Sequence, residues 1–352
     1  MRSLFVAPLA AQYRALQTVL GECERVDAVL VDVAFTGALP LLLGDGPRPP
    51  VLVCGVSPLT VSSLDTPPFG PGWAPQPRVN YSTMTWVVHH VLFGSIQRRL
   101  NRALRGVHSR RSPVFLTDWP RLADRLLQLT VPGFEYPRRD LPANVVFTGP
   151  IFAGHVVREH LPAWWPDLLA TRRVVHVTQG TWDNTDLDLL VGATLRALAH
   201  RDDVLVVVTT GGAPRDTLGD PPPANVRVTD LLPYSALLPH VDAMVTNGGY
   251  GGVQNALSLG VPLVVAGDTA DKPEVAARVA WTGAGIDLRT GHPSPEAIAA
   301  AVDRVLTEPR YRAAAQRLRD EVAAATALDT IADVLAELDG HGTHENRWLQ
   351  GG

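Results

Sequence analysis

Lysine is almost missing from this sequence. Of its 31 basic residues only Lys272 is a lysine, which leaves 30 arginines, alongside 30 glycines and 30 prolines. That balance marks a coding sequence rich in G and C, in which a retained lysine stands out. Cysteine is as scarce: Cys23 and Cys54 are the only two, with no Cys-x-x-Cys pair. A disulfide framework and a cysteine-based zinc site are thereby excluded, and a reducing cytoplasm is expected. There is no basic excess, since 35 acidic residues give a net charge of −4. This lacks the electrostatic footprint of a nucleic-acid binder. No apolar run reaches the about 20 residues of a membrane helix. The longest candidate, Val26 to Leu43, is interrupted by Asp27, Asp32 and Pro40, so no transmembrane segment is expected. The apolar patch Met1–Val6 is too short for a signal peptide. What is present is apolar material. With 46% hydrophobic residues over 352 positions, two domains with real cores are expected.

The second half has the clearer rhythm. Short β-branched runs at Val174–Thr178, Val204–Thr209, Val226–Val228, Ala243–Thr246, Leu263–Ala266 and Gly285–Leu288 alternate with helical patterns. The helices expected there are Asp186–Ala199, Tyr250–Leu259, Pro273–Thr282, Pro295–Leu306 and Tyr311–Leu338. Continuous Val/Leu strands alternating with helices predict a parallel sheet covered on both faces. In the first half, Ala28–Val31, Val51–Cys54, Val114–Leu116 and Val145–Phe147 read as strands. Helices are expected at Thr36–Leu43, Tyr81–Leu104 and Asp118–Leu129, the last with an Asp cap and Pro120 in its first turn. The Pro-rich stretch Ser57–Pro77 suits a loop over a pocket. The expected domains are 1–150 and 173–338, joined by a Pro- and Trp-rich linker 151–172 and followed by a frayed tail, 339–352.

The segment that carries chemistry runs from Ala243 to Leu257. A strand ends at Thr246, the glycine-rich turn Asn247-Gly248-Gly249-Tyr250-Gly251-Gly252 follows, and a helix starts near Tyr250. Unpaired N–H groups and the positive end of a helix dipole thus lie at the C-terminal edge of a parallel sheet. Glycines let a phosphate approach the backbone closely. Four glycines in five residues exceed what a tight turn requires, which favours a phosphate site over a purely structural turn. Neither a G-x-G-x-x-G dinucleotide pattern nor a P-loop Gly-Lys-Ser/Thr is found.

In order along the chain come Val177-Thr178-Gln179-Gly180-Thr181, Leu232-Pro233-Tyr234, the glycine-rich turn, Gly260-Val261-Pro262, Asp271-Lys272 and Ala277-Arg278-Val279 through Gly285. This series resembles the donor-binding signature of nucleotide-sugar glycosyltransferases with the GT-B fold, the family of UDP-glucuronosyltransferases and bacterial macrolide glycosyltransferases. The likeness is strong over 150–338 and looser over 27–150. It implies an α/β fold of two doubly wound Rossmann-like domains, with the N-terminal one incomplete. It also implies a UDP- or dTDP-sugar as co-substrate, no required metal or other cofactor, and a small apolar acceptor. The nucleotide base would lie by Pro233 and Tyr234, and the diphosphate on Asn247, Gly248, Gly249, Gly251 and Gly252, near Thr178, Gly180 and Thr181. The ribose would face Asn255, and the sugar hydroxyls Asp271 and Lys272. The chain departs from the family pattern at four of these positions: histidine becomes Asn247, threonine Gly252, glutamate Asn255 and glutamine Lys272.

The resemblance further implies inverting transfer, with a histidine base after the first strand and an aspartate to orient it. Asp32, at the end of a buried strand, matches the orienter, while also suiting the cap of the next helix. No histidine precedes His89. Two explanations stand: Met1–Val6 is a remnant first strand, or residues 1–26 lead into the fourth strand and the opening βα units are absent, the latter being favoured. His89, His90, His155 and His176 are weak candidates for the base. Phe69, Trp73, Trp86 and Phe93 are candidates for the acceptor side. The rivals to a working transferase are a donor-binding auxiliary protein of the same fold and a nucleotide-sugar epimerase.

Overall fold

The computed structural model describes residues 2–152, 161–170, 173–199, 201–214, 218 and 222–339. His155, part of the expected linker and residues 340–352 of the expected tail lie outside them. The chain divides into two units: one holds residues up to Phe69, Pro75–Ile151 and the stretch from Ala325 on, and the other holds Gly70–Ala74 and Phe152–Ala324.

The first unit is built on a four-stranded parallel sheet in the order β1-β2-β3-β4, formed by β1 (Val29–Asp32), β2 (Val51–Gly55), β3 (Arg125–Gln128) and β4 (Val145–Phe147). Its helices are α1 (Leu9–Glu22), α2 (Leu39–Leu43), α3 (Ser82–Val87) and α4 (Gly94–Gly106). Arg2–Val6 forms a helical turn, which removes the remnant-strand explanation for Met1–Val6. Two further expectations fail here. Val114–Leu116 pairs with no strand, and the helix read over Asp118–Leu129 is a 3-10 helix at Leu116–Leu122 followed by β3. The reason is the double burial of β3. Leu126 packs into the core formed with α1 and α4, while Leu127 packs on the opposite face with Leu52. A strand buried on both faces shows no alternation, so periodicity alone cannot separate it from a helix.

The second unit carries a six-stranded parallel sheet in the order β10-β9-β8-β5-β6-β7. Its strands are β5 (Val174–Thr178), β6 (Leu205–Thr209), β7 (Val226–Thr229), β8 (Ala243–Thr246), β9 (Leu263–Val265) and β10 (Gly285–Asp287). Every residue of β5, β6 and β8 is buried, as a sheet covered on both faces requires. The helices are α5 (Asp167–Ala170), α6 (Val191–Leu198), α7 (Tyr234–Leu237), α8 (Tyr250–Ser258), α9 (Lys272–Thr282), α10 (Pro295–Thr307) and α11 (Pro309–Ala324). β5 is the pivot: β6 and β7 extend the sheet to one side, β8 to β10 to the other. The crevice between β5 and β8 is therefore the topological switch point, where ligands of such sheets bind.

The final helix, α12 (Ala327–Asp339), breaks from α11 at Ala325-Thr326 and belongs to the first unit. The sequence reading carries the second domain to 338; instead Val334 and Leu338 cover Leu52 and Leu127 of the first sheet.

Candidate functional site

Two loops leave the sheet at the switch point. β5 ends at Thr178, whose buried hydroxyl accepts the Gly180 N–H at 3.2 Å. The same side chain is hydrogen-bonded to Tyr234, the first residue of α7, and burial pushes the Tyr234 phenol up. The Tyr234 ring stands edge-on to His176, with centroids 5.7 Å apart. Thr178 and Tyr234 thus brace the loop from below, while Thr181 is exposed at its tip and Pro233 is half-buried. β8 ends at Thr246, and Asn247 follows. Its Nδ2 donates to the Gln179 carbonyl in the neighbouring loop, and its Oδ1 accepts the Gly249 N–H at 3.3 Å. Asn247 stands where the family pattern has histidine, and here it ties the two loops together.

Of the four glycines in this turn, the fold itself requires one. Gly248 is left-handed at φ +83°, and a Cβ there would meet Val265 Cγ1 at 2.8 Å. A Cβ on Gly249 or Gly252 would make only ordinary contacts, and one on Gly251 would meet nothing within 4 Å. Protein packing does not explain these three; the Gly249 N–H is taken by Asn247, and those of Gly251 and Gly252 remain open to a ligand. They sit at the N-terminus of α8, where the first N–H groups have no helical acceptor. Asn255, one turn further along, donates from Nδ2 to the Gly251 carbonyl at 2.8 Å.

Lys272 opens α9 and is only 9% exposed, unlike a solvated helix-start lysine. Its Nζ donates to Thr269 Oγ1 at 2.7 Å and to Asp183 Oδ2 at 3.0 Å. The Thr269 hydroxyl donates to the same Asp183 oxygen at 2.6 Å. These bonds, Thr269's foremost, hold the Asp183 carboxyl below the usual carboxylate range. With Gln179, Asn247 and Gly267 they line a cavity of about 100 Å³. Asp271 caps α9 through its carbonyl, which accepts the N–H groups of Glu274 and Val275. Burial pushes its carboxyl up, against the opposing pull of the Lys272 charge.

The switch point therefore gathers Thr178, Gly180, Asn247 and the glycine turn, with Lys272 lining the same cavity as Asn247. Asp183, Thr269 and Gln179 were missed by sequence reasoning. Asp183 follows the Thr178–Thr181 turn by two residues, and that position was the available signal. Thr269 carried none.

The first-unit candidates are arranged differently. Asp32 is exposed at the end of β1, and its Oδ1 accepts the Ala34 N–H at 2.6 Å; it closes the turn after β1 and does not cap the next helix, whose N-cap position is Phe35 without a side-chain bond. Phe69 is half-buried, and Trp86 is exposed with its ring stacked on His90. Trp73 lies in Gly70–Ala74, which belongs to the second unit. His89 stacks on Phe115, with Nε2 3.4 Å from Ser62 Oγ, and burial lowers its pKa against the pull of Asp118. His176 is fully buried in β5 and held neutral, its pKa lowered to about 4 by burial. Among the described residues no cluster of three or more His, Cys, Asp or Glu is placed to hold a metal ion. Among them, too, no helix is long and apolar enough to cross a membrane.

Comparison with known proteins places the chain among relatives. Residues 193–338 match the family model of the erythromycin biosynthesis protein CIII-like C-terminal domain. The chain is 43% identical over 343 residues to 4'-demethylrebeccamycin synthase of Lentzea aerocolonigenes, covering 96% of this chain and 79% of that protein. It is 36% identical to UDP-glucosyltransferase A1 of Starmerella bombicola, covering 96% of this chain and 74% of that one. Among solved structures, the glycosyltransferase of kitacinnamycin superposes with a TM-score of 0.72 at 23% identity, covering 94% and 80% of the two chains.

Proposed function

The chain belongs to the nucleotide-sugar glycosyltransferases of the GT-B fold, and from that footing we propose that it moves a sugar from a UDP- or dTDP-sugar to a hydroxyl of a small apolar acceptor, with inversion. The observation that carries the reading is the turn at the start of α8. Gly251 and Gly252 leave N–H groups open where packing requires no glycine, at the positive end of a helix dipole. A diphosphate fits that environment. The nucleotide base would lie by Pro233 and Tyr234, the ribose by Asn255, and the sugar by Asp271 and Lys272. The named chemistry of the relatives supports a secondary-metabolite acceptor, for which Phe69 and Trp86 supply apolar contacts on the first unit.

In the transfer step the acceptor oxygen attacks the anomeric carbon from the face opposite the diphosphate. The acceptor O–H proton passes to a base, for which Asp32 is the orienting candidate. The bond between the anomeric carbon and phosphate oxygen breaks, and the departing diphosphate takes the electron pair. Negative charge then grows on the diphosphate, and the α8 N–H groups are fixed donors for it. On this reading the step runs without a metal, in the cytoplasm. Calorimetric titration with UDP, dTDP and NAD, followed by acceptor profiling with UDP-glucose and dTDP-glucose, tests it. Binding of a nucleoside diphosphate and sugar transfer are expected. Binding without transfer to any acceptor would favour the auxiliary reading, turnover without an acceptor the epimerase. Binding of neither diphosphate would overturn the donor-site reading.

A further inference from the structure

Glu274 is a carboxylate with no role in the site described so far. It lies in the first turn of α9, its side chain 5% exposed and paired with Arg278, itself 1% exposed, through Oε2 at 2.9 Å. Its other oxygen faces a distant part of the sequence. Oε1 accepts two backbone N–H groups, from Gly70 at 2.7 Å and Gly72 at 2.9 Å. Both belong to the strap Gly70–Ala74, which is counted with the second unit although it is encoded within the first half of the chain. The strap sits close on α9. Gly72 is left-handed at φ +68°, and a Cβ there would lie 2.4 Å from the Pro273 carbonyl oxygen. Pro71 within the strap, and Pro68 and Pro75 around it, restrict the backbone further. A buried ion pair of this kind adds little net stability by itself, because desolvation offsets the attraction. Its geometry instead fixes a loop by two charge-assisted bonds. The strap is thereby anchored at Pro273, the residue after Lys272, and its next residue, Trp73, is 54% exposed.

We propose that Glu274 is a positioning residue for donor recognition: it latches the strap to the start of α9 so that Trp73 forms an aromatic wall beside Asp271 and Lys272, against which the apolar face of the donor's sugar ring packs. The chemistry is complementary. Asp271 and Lys272 offer hydrogen bonds to hydroxyls, and an indole face suits the C–H side of a pyranose. The inference rests on the reading of Asp271 and Lys272 as the sugar end of the donor site.

Two measurements test it on the full chain. Amide hydrogen exchange follows the latch itself, and calorimetry with UDP against UDP-glucose, and dTDP against dTDP-glucose, isolates the sugar's contribution to binding. Glu274→Gln and Gly72→Ala are expected to speed exchange at residues 70 and 72 at least tenfold. Both should cut the sugar nucleotide's affinity relative to its diphosphate about tenfold, with diphosphate affinity within twofold of the parent. Trp73→Ala is expected to keep the amides protected yet lose the same sugar contribution. Gly72→Ala leaves the buried Glu274–Arg278 pair intact, so it serves even where Glu274→Gln fails to fold. Unchanged exchange in Gly72→Ala, or an unchanged sugar contribution in both Gly72→Ala and Trp73→Ala, would overturn the inference alone. A parent chain that binds neither diphosphate would overturn the donor-site reading and this role together.

Discussion

Acidification should unlock the second unit through one buried ring. His176 is fully buried in the middle of β5, and its Nδ1 lies 2.9 Å from the Val207 carbonyl. That bond makes Nδ1 the protonated nitrogen of a neutral imidazole, and Nε2 is left buried without a hydrogen-bond partner in the described structure. Adding a proton would place an uncompensated cation inside the sheet. Burial accordingly pulls the pKa from 6.5 to about 4, with the Val207 bond opposing weakly. The unfolded chain takes up its proton near pH 6.5, the folded one only near pH 4. Between these values the unfolded state binds more protons, so stability rises with pH and falls on acidification. A depression of this size, at 1.36 kcal/mol per unit, costs about 3 kcal/mol by pH 4. The perturbation is His176→Gln, which keeps a polar side chain and removes the titration. Urea denaturation of both chains at intervals from pH 7 to 4 reads the difference. The parent should lose about 3 kcal/mol more than the variant across the window. Parallel pH curves for the two chains would refute the argument.

Three further outcomes are expected. Lys272→Ala should weaken UDP-glucose binding about tenfold, and Lys272→Arg less, because an arginine keeps charge but not the compact bridge from Thr269 to Asp183; equal, negligible effects by calorimetry would remove the role. Gly267→Ala would set a Cβ 2.0 Å from the Asn247 carbonyl oxygen, so it should cost about 1–3 kcal/mol in urea denaturation and weaken UDP binding as well. Asp124→Ala removes the partner of Arg48, whose side chain is 3% exposed, and the acceptor of the Val51 N–H. A loss of about 3–5 kcal/mol from the first unit, with diphosphate binding retained, is expected by denaturation and calorimetry.

Much of the second unit was legible in the residues. Its central strands β5 and β6 are Val-rich runs, its helices carry apolar stripes, and the turn after Thr246 shows its chemistry in its glycines. The first unit was less so, for a physical reason at each place. β3 reads Arg125-Leu126-Leu127-Gln128, and with both leucines buried on opposite faces its period vanishes. Leu116 is buried without strand pairing, so its hydrophobicity misleads. Pairings across long separations left no local mark. The Asp183–Lys272 bridge spans 89 positions, and the Gly70–Glu274 bond 204. Lys272 was conspicuous by composition, yet only the fold brings Asp183 and Thr269 to its charge. Asn247 was legible as a departure from the family pattern, but not as the brace between two loops.

The return of α12 to the first sheet sets a timetable for synthesis. Domains generally fold as units in the order they leave the ribosome. Here Leu52 and Leu127 are covered by Val334 and Leu338, side chains that emerge only after all of the second unit's strands. The second unit, ending by α11, has its sheet complete first. The unit translated first is finished last, and until then one face of its sheet stays bare. A nascent chain stalled near residue 324 would hold a completed six-stranded sheet together with an unfinished, aggregation-prone four-stranded one. A C-terminal fusion or truncation reaching α12 would accordingly be felt at the opposite end of the sequence.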